Sequence, residues 1–362
     1  MSDAAASRFR PFEVVSKKRE SATITSFRLA PLDGGQWRPF EAGQFLTLRI
    51  PDGKGGYALR NYTVSSSPRE EGSYRITVKR EAAPSDEVPQ GLSSCWLHDE
   101  VEPGAVIEID TPRGGFKLDA ASTRPVVLLS GGVGLTPTVS MLNVLARESE
   151  RPVWFIHACD SAEVHALRDE VEALAALRPG ISVHFCYRFA GDGDRCHSRG
   201  FLSRDTLQSL LPLDDYDIYM CGPPPFMQAL YGILTGLGVR KERIAYEFFG
   251  PASLLTAEGE TPARKAPPAP APVAAEDGGV KIVLEKSGRS FAWDGASESI
   301  LAFLEAQGIE PAFSCRAGVC GTCEQGLVSG EVDYFEEPLD DMPADRVLLC
   351  CTRPKSSVVL DL

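Results

Sequence analysis

Five cysteines in the last fifty residues have a spacing that suits metal or cluster binding. Cys315, Cys320 and Cys323 lie within nine residues, and Cys350 and Cys351 follow further on. Zinc ribbons usually carry two C-x2-C pairs, and this region has one. Three cysteines in a single tight loop cannot all form disulfides with the two downstream. A C-x4-C-x2-C run with a distant fourth cysteine is the plant-type 2Fe–2S spacing, so the pattern predicts an iron–sulfur cluster.

The cysteine loop and a second, upstream loop are both rich in small residues. Ala317, Gly318, Gly321 and Thr322 would let the chain fold closely around a cluster and aim N–H groups at its sulfurs. Upstream, the run GGVGLTP from Gly131 follows an apolar stretch and precedes a helical one, where backbone N–H groups can reach a dinucleotide pyrophosphate. This run lacks the G-x-G-x-x-G fingerprint, so its composition alone is ambiguous.

The elements that must position these loops change character along the chain. Short β-rich runs with turn signals continue to about Phe116 and predict an antiparallel sheet or barrel. From Arg124 to about Phe249, apolar strands alternate with amphipathic helices, which predicts a parallel α/β sheet. A proline- and alanine-rich stretch then predicts an extended spacer. The remainder reads as a hairpin, a helix and a closing strand, hence a small α+β domain.

The composition and net charge of the chain limit the kinds of macromolecule or surface that it can bind. The chain has 362 residues, a formal net charge of −13 and 43% hydrophobic residues. An acidic chain of this kind argues against nucleic acid or an anionic membrane surface as partner. The N-terminus lacks the apolar core of a signal peptide, and ten cysteines without such a signal suggest a reducing compartment. We therefore expect a cytoplasmic, multi-domain protein.

The upstream motifs resemble those of one flavoprotein family. Arg60-Asn61-Tyr62-Thr63 resembles the R-x-Y-S/T signature of ferredoxin–NADP reductase-type flavoproteins, and the segment from Gln90 resembles their phosphate-binding helix start. The GGVGLTP run resembles their GGxGxTP loop, and the run CGPPPFM from Cys221 resembles their CGPxxFM segment. The run YEFFGP from Tyr246 resembles the end of the reductase half of bacterial flavohaemoglobins.

The cysteine loop resembles a second family. Together with the segment LLCCTRP, it is similar to the 2Fe–2S domains of plant-type ferredoxins and of bacterial oxygenase reductases. In those families the fourth ligand precedes a proline by four positions, which matches Cys350 and Pro354. The resemblance thus implies Cys315, Cys320, Cys323 and Cys350 as ligands, with Cys351 on the opposite side of its strand.

These resemblances imply an architecture of three domains. They are an antiparallel β-barrel that binds FAD (1–122), an α/β parallel-sheet domain that binds nicotinamide (123–251) and a small β-grasp ferredoxin domain (280–362), with a linker at 252–279. The resemblance to the reductase half of flavohaemoglobins implies FAD rather than FMN, although some oxygenase reductases of similar order use FMN.

The resemblances also imply roles for individual residues. Thr136, Cys221 and Glu247 would position the nicotinamide, and the aromatic Phe249 would cover the flavin face. The residues expected to hold the flavin are Arg60, Tyr62, Thr63, Gly91, Ser93 and Ser94. The remaining nucleotide-binding residues would be Gly131, Gly132, Gly134, Pro137, Gly222, Pro223, Phe226 and Met227.

Together the motifs predict an electron-transfer chain. NADH would reduce the flavin, and the flavin would pass single electrons to the 2Fe–2S cluster. Arg188 could bind the 2′-phosphate of NADPH, but Asp192 and Asp194 would repel it, so we expect NADH. Residues Lys281 to Leu362 contain seven Lys and Arg and fourteen Asp and Glu, which favours transient electrostatic docking on a basic partner.

The domain order resembles reductase components of Rieske-type oxygenases, including those that demethylate betaine-like quaternary amines. A reductase of a hybrid-cluster protein has the same order and stays an alternative. A nitric-oxide dioxygenase is disfavoured because no globin precedes Arg8. A non-catalytic scaffold with a structural metal is the alternative from another class.

Overall fold

The computed structural model describes residues 9–32, 37–51, 53, 55–83, 90–248, 280–309, 311, 313, 318, 321, 323–336, 338 and 342–362. The chain divides into two compact units, Met1–Phe249 and Gly250–Leu362. The predicted linker at 252–279 and the predicted site residues Phe249, Cys315 and Cys320 lie outside the described residues. The three-domain boundaries stay a prediction.

The first part of the larger unit is an antiparallel barrel. Its strands are β1 (Arg10–Arg19), β2 (Ile24–Pro31), β3 (Phe45–Pro51), β4 (Tyr57–Thr63), β5 (Tyr74–Lys79) and β6 (Val106–Ile109), with helix α1 (Leu92–Asp99) between β5 and β6. The strand order is β4-β3-β6-β1-β2-β5, and an antiparallel bridge between Val64 and Ile76 joins its two ends. Alternate residues of β3 (Leu46, Leu48 and Ile50) are fully buried in the barrel core.

The second part is a parallel sheet between helices. Its elements are β7 (Val126–Gly131), α2 (Leu135–Glu148), β8 (Val153–Cys159), α3 (Arg168–Ala175), β9 (Ile181–Tyr187), β10 (Ser198–Arg199), α4 (Arg204–Leu210), β11 (Asp217–Gly222), α5 (Pro224–Gly236) and β12 (Ile244–Phe248). The order β10-β9-β8-β7-β11-β12 makes β7 and β11 neighbours at the point where strand order reverses. Ligands of such sheets bind at this point, beyond the carboxyl ends of the strands.

The smaller unit has a mixed sheet packed against one helix. Its elements are β13 (Lys281–Leu284), β14 (Arg289–Ala292), α6 (Ile300–Ala306), β15 (Glu324–Ser329), β16 (Val332–Tyr334), β17 (Arg346–Leu348), β18 (Thr352–Pro354) and β19 (Val358–Leu360). One sheet has the order β14-β13-β19-β15-β17, and β16 pairs with β18. Buried side chains of α6, among them Leu301 and Leu304, pack with Ile282 and Leu360 of the sheet. The predicted ferredoxin-like α+β fold is confirmed.

Two local expectations were wrong. The predicted helix over VHALRDEVEALAAL begins only at Arg168, because Leu167 has a φ of 56°, in the left-handed region that interrupts a right-handed helix. Cys350 and Cys351 lie in a single 3₁₀ turn, Leu349–Cys351, and not on a strand. Their side chains therefore diverge by about a third of a turn and do not alternate across a sheet.

No helix in the described part of the chain is long and apolar enough to cross a membrane.

Candidate functional site

The glycine loop and the CGPPPFM segment, distant in sequence, meet at the carboxyl ends of β7 and β11. A Cβ atom on Gly134 would lie 2.2 Å from the carbonyl oxygen of Cys221. On Gly222 it would lie 2.6 Å from the ring of Phe226, and on Gly131 3.0 Å from the same ring. Only glycine fits at such distances, so these motifs are built for close packing of one backbone on another.

The loop leaves its backbone N–H groups available to an anion. Gly132 has a φ of 54° and open space where a Cβ would lie, and no side chain caps the start of α2. Thr136 is buried and donates its hydroxyl to the carbonyl of Val133 at 3.2 Å, and Pro137 is buried in the same turn. The Leu135 N–H bonds back to the carbonyls of Gly132 and Val133, and Pro137 has no N–H. The glycine turn Gly132–Gly134 before α2 is therefore the part that suits the pyrophosphate of a dinucleotide. Pro223 directly precedes α5, and Met227 is one of the buried residues of that helix.

Cys221 and Glu247 face one another as register partners of β11 and β12. Cys221 is completely buried, and burial raises the pKa of its thiol well above the ordinary value, with the Glu247 carboxylate adding to the effect. Cys221 is therefore a neutral thiol at neutral pH. A neutral thiol is not a thiolate nucleophile, so the predicted role of Cys221 beside the nicotinamide is one of shape and not of covalent chemistry.

At the start of α1, the hydroxyl of one serine is hydrogen-bonded to the backbone, whereas that of its neighbour has no such partner among the described residues. Ser94 Oγ accepts a hydrogen bond from the backbone N–H of Glu81 at 3.1 Å and donates to the carbonyl of Gly91 at 3.3 Å. A Cβ on Gly91 would lie 2.7 Å from that Oγ and 3.0 Å from Cβ of Glu81, so a side chain there would displace the Ser94 hydroxyl. Ser93 Oγ is buried and makes no hydrogen bond of good geometry to a described residue, although it lies near enough to influence the Tyr62 phenol. A buried hydroxyl of this kind fits a ligand that brings an acceptor.

The stretch Arg60-Asn61-Tyr62-Thr63 ends β4 beside β3. Tyr62 packs on the barrel core, and burial raises the pKa of its hydroxyl well above the ordinary value, against the opposing effect of Arg60. Arg60 is exposed, and among the described residues its guanidinium donates one hydrogen bond, to the carbonyl of Leu59. Thr63 is buried. A neutral tyrosine, an exposed guanidinium and the buried Ser93 hydroxyl are suited to a flavin ring and its phosphates.

In the smaller unit, Cys323 and Cys350 are both buried, and a backbone N–H already points at one of their sulfurs. Gly318 donates its N–H to Cys350 Sγ at 3.3 Å, from a backbone with a φ of 67°. Burial raises the pKa of Tyr334, the hydrogen bond with the Leu348 N–H opposes this, and Cys351, Cys323 and Cys350 raise the pKa further, so the three cysteines lie in the neighbourhood of one phenol. An N–H donor aimed at a cysteine sulfur is what an iron–sulfur cluster requires of its loop.

Three family models match the chain in order. An oxidoreductase FAD-binding domain matches residues 11–118, an oxidoreductase NAD-binding domain matches 128–231, and a 2Fe-2S iron-sulfur cluster binding domain matches 282–355. The FAD/NAD-binding domain of a nitric oxide dioxygenase from Vibrio cholerae is 37% identical, with a TM-score of 0.60, and the match covers 67% of this chain and 99% of that one. The chain belongs to this family of FAD- and NAD-binding oxidoreductases.

The reductase carries a further domain, and a second structure matches its full length. A phthalate dioxygenase reductase is 27% identical, with a TM-score of 0.57, over 98% of both chains. The flavohaemoprotein of Bordetella pertussis is 45% identical over 249 residues, 67% of this chain and 61% of that protein. The reductase therefore spans less than two thirds of the length of the curated flavohaemoproteins that it matches. Its cofactors are FAD, NAD and a 2Fe–2S cluster.

One residue of the nicotinamide part was missed from the sequence. Asp160 directly follows β8, and its carboxylate lies 3.9 Å from the guanidinium of Arg188, which directly follows β9. Asp192 instead lies 3.9 Å from Arg199, and Asp194 accepts a hydrogen bond from the N–H of Gly191. Asp160 is 28 residues from Arg188 in sequence, so only the parallel pairing of β8 and β9 reveals the pair.

Proposed function

We propose that this reductase passes electrons from NADH through FAD and its 2Fe–2S cluster to a separate Rieske-type, non-haem iron oxygenase. The observation that carries the proposal is the match over 98% of the chain to a phthalate dioxygenase reductase, a modular protein that transfers electrons from pyridine nucleotides to 2Fe–2S. An oxygenase that demethylates betaine-like quaternary amines is the recipient we favour, on the resemblance in domain order. Bound FAD takes up two electrons and can release them singly, which couples a two-electron donor to a one-electron cluster.

The chain's own residues orient the reactants. In this proposal the backbone N–H groups of the turn Gly132–Gly134 hold the NADH pyrophosphate, so that its nicotinamide lies beside the ends of β11 and β12, near Cys221 and Glu247. Arg60 and Ser93 hold the flavin phosphates and ring, and the neutral Tyr62 packs beside the ring. Thr136 and Phe249 complete the pocket in their predicted roles. Buried Cys323 and Cys350, with the predicted ligands Cys315 and Cys320, hold the cluster.

The environment of Arg188 supports NADH over NADPH. Its guanidinium lies 4.6 Å from the ring centre of Phe189 and 5.1 Å from that of Phe201, beside the Asp160 carboxylate. A carboxylate at the end of the strand next to β7 accepts hydrogen bonds from ribose hydroxyls and repels a 2′-phosphate. In this proposal Arg188 stacks with the aromatic rings, and Asp160 selects the unphosphorylated ribose.

The charge beside the cluster supports a basic acceptor. Residues 331–345 contain seven Asp and Glu and no Lys or Arg. The backbone N–H of Phe335 donates to the carbonyl of Cys351, and β16 pairs with β18, which begins at the next residue, Thr352. The acidic segment thus starts beside the cysteine pair, where a basic partner surface would bring its own redox centre close to the cluster.

The test is anaerobic reduction of the purified protein, followed by addition of a purified Rieske oxygenase. We expect NADH to bleach the flavin and produce a rhombic 2Fe–2S EPR signal, with kcat/KM at least tenfold higher for NADH than for NADPH. NADH consumption should then depend on both the oxygenase and its quaternary-amine substrate. Colourless, zinc-containing protein would contradict the cofactor chain. Faster reduction of a hybrid-cluster protein than of the oxygenase would contradict the proposed acceptor.

A further inference from the structure

A partly buried ion pair joins the flavin barrel to the nicotinamide part of the larger unit. Arg75, on β5 of the barrel, donates from Nη1 to Glu170 Oε2 at 2.6 Å and from Nη2 to Glu170 Oε1 at 2.9 Å. Glu170 lies in the first turn of α3, in the α/β part. The Arg75 side chain is 11% exposed and that of Glu170 28% exposed. A bidentate pair of this geometry fixes both distance and orientation, unlike a single surface contact.

On the barrel side, Arg75 is tied to the end of the flavin-binding strand. Its Nε donates to Ser65 Oγ at 3.1 Å, and its Nη2 also donates to the Ser65 carbonyl at 2.6 Å. Ser65 follows Thr63 by two residues, just after β4. The Arg75 N–H donates to Ser66 Oγ, and the Ser66 carbonyl accepts a hydrogen bond from the buried Ser140 hydroxyl of α2. The segment after the flavin motif therefore touches α2 directly.

On the α/β side, the same carboxylate is tied to the helix that follows the glycine loop. Asn143 Nδ2, on α2, donates to Glu170 Oε1 at 3.2 Å and to the carbonyl of Val139 at 3.1 Å. Burial opposes the charge of Glu170, but Arg75 outweighs burial and holds the pKa of the carboxyl below its ordinary value. Glu170 is therefore ionised at neutral pH. Through Arg75 it is linked to Ser65 after β4, and through Asn143 it is linked to α2.

We propose that Arg75 and Glu170 are a positioning pair that sets the distance between the flavin-binding strand β4 and the nicotinamide-binding loop before α2. The inference rests on the proposed function, because it concerns how NADH meets FAD. Neither residue contacts the reacting atoms. Their network spans both binding segments, so loss of the pair lets the two segments shift while each still binds its own ligand. Misplacement of reacting groups by about 1 Å can slow a reaction about a hundredfold without a comparable loss of binding.

The boundary offers a matched control pair. Arg69, in the barrel, makes a bidentate contact with Glu148 at the end of α2, at 2.7 Å and 2.6 Å. It crosses the same boundary with the same chemistry, but the Arg69 side chain is 72% exposed. Exposed pairs of this kind contribute little, because solvent screens them and their side chains are free to move. Glu148→Gln therefore controls for the simple loss of an interdomain charge pair.

The experiment compares Glu170→Gln with Glu148→Gln in the FAD- and cluster-loaded protein. For Glu170→Gln we expect the rate of flavin reduction at saturating NADH to fall about tenfold or more, with FAD content and the Kd for NAD⁺ unchanged. The long-wavelength charge-transfer absorbance of nicotinamide stacked on flavin should also weaken. Glu148→Gln should match the wild type in all four measurements. A wild-type rate and absorbance in Glu170→Gln, or an equal loss in Glu148→Gln, would overturn the inference.

Two further variants keep the test decisive if Glu170→Gln folds poorly. Arg75→Lys retains the positive charge but cannot make the bidentate contact, and should show an intermediate loss of rate. The double variant Arg75→Gln/Glu170→Gln leaves no partly buried charge without a partner, so it should recover stability but not the charge-transfer absorbance. Recovery of both would show that the pair is merely structural and would refute positioning. If the wild-type flavin is not reduced by NADH at all, the proposed function fails instead.

Discussion

At the scale of single residues, the cluster loop and the nucleotide loop were predictable because their chemistry depends on cysteines and glycines that lie close together in the sequence. Thiolates must converge on a cluster, and glycines must stand where one backbone touches another, as Gly134 does against Cys221. Asp160 could not be predicted in this way, because its partner Arg188 is brought near by strand pairing. The different states of Ser93 and Ser94 were equally hidden, since they depend on whether Glu81 occupies the hydroxyl.

The two adjacent cysteines give the sharpest residue-scale prediction. Cys350→Ser should lose the rhombic EPR signal and the 2Fe–2S absorbance, because Cys350 carries the sulfur that accepts the Gly318 N–H. FAD content and NADH-dependent dye reduction should persist, since the flavin lies in the other compact unit. Cys351→Ser should retain the cluster. Loss of the signal in Cys351→Ser with retention in Cys350→Ser would reverse the assignment.

At the scale of elements, hydrophobic periodicity located most strands and helices of the larger unit. In the smaller unit it located the hairpin, the helix and the closing strand but missed β15 to β18, of which three have only three residues each. Strand β1 was missed because a register shift between Val14 and Ser16 breaks its alternation. The short strand β10 and the exposed helix α4 were missed because two residues and seven residues carry little periodic signal. The late start of α3 depends on the backbone of Leu167, which no propensity predicts.

The junction between β7 and α2 should tolerate no added methyl group at Gly134. Gly134→Ala places a Cβ 2.2 Å from the Cys221 carbonyl oxygen, which forces the backbone of one loop to move. We expect a loss of about 3 kcal/mol in the free energy of unfolding, measured by chemical denaturation with saturating FAD.

Gly232→Ala is the control for Gly134→Ala. Gly232 lies within α5 and has no atom within 4 Å of its would-be Cβ. Alanine is about 1 kcal/mol better than glycine in a helix interior, so this variant should be neutral or stabilising. Equal destabilisation by the two substitutions would contradict the steric explanation.

The strands β8 and β9 bury histidines in the uncharged form, which predicts a pH dependence of stability. Burial lowers the pKa of His157 from 6.5 to about 4, against a smaller opposing effect of its hydrogen bond with Ser130. As pH falls from 6.5 towards 4, His157 therefore binds a proton in the unfolded chain but not in the folded chain. Stability contributed by neutral His157 is complete above pH 6.5 and is lost through this window, at up to about 1.4 kcal/mol per pH unit.

Chemical denaturation of wild type and His157→Asn at pH 7, 6 and 5 checks this dependence. The variant should lose less stability per pH unit than the wild type, because one of the protons taken up on unfolding is gone. His165, whose ring lies 4.6 Å from that of His157 and whose pKa burial lowers to about 2, should maintain part of the slope. Parallel slopes in the two proteins would show that His157 is not responsible.

At the scale of the whole molecule, charge is distributed unevenly between the two units. Residues Lys281 to Leu362 contain twice as many Asp and Glu as Lys and Arg. The total charge was available from the sequence. Its location beside the cysteine pair was not, because it depends on the pairing of β16 with β18 and on the contact between Phe335 and Cys351.

Electron transfer to the oxygenase should therefore depend on ionic strength. Opposite charges accelerate encounter, and salt screens them over about 10 Å at 0.1 M. We expect the second-order rate of oxygenase reduction to fall about tenfold between 20 mM and 500 mM NaCl. Flavin reduction by NADH, measured in the same buffers, should change much less. A flat rate of oxygenase reduction across this range would rule out electrostatic docking.

The ion pair between Arg75 and Glu170 also restricts the positions at which this chain can be joined to a relative in a chimaeric protein. A chimaera that joins this barrel to an α/β part without the matching residue would leave one of the two partly buried charges without its counterpart. The barrel and its parallel sheet must therefore be transplanted together whenever this reductase is combined with parts of a relative.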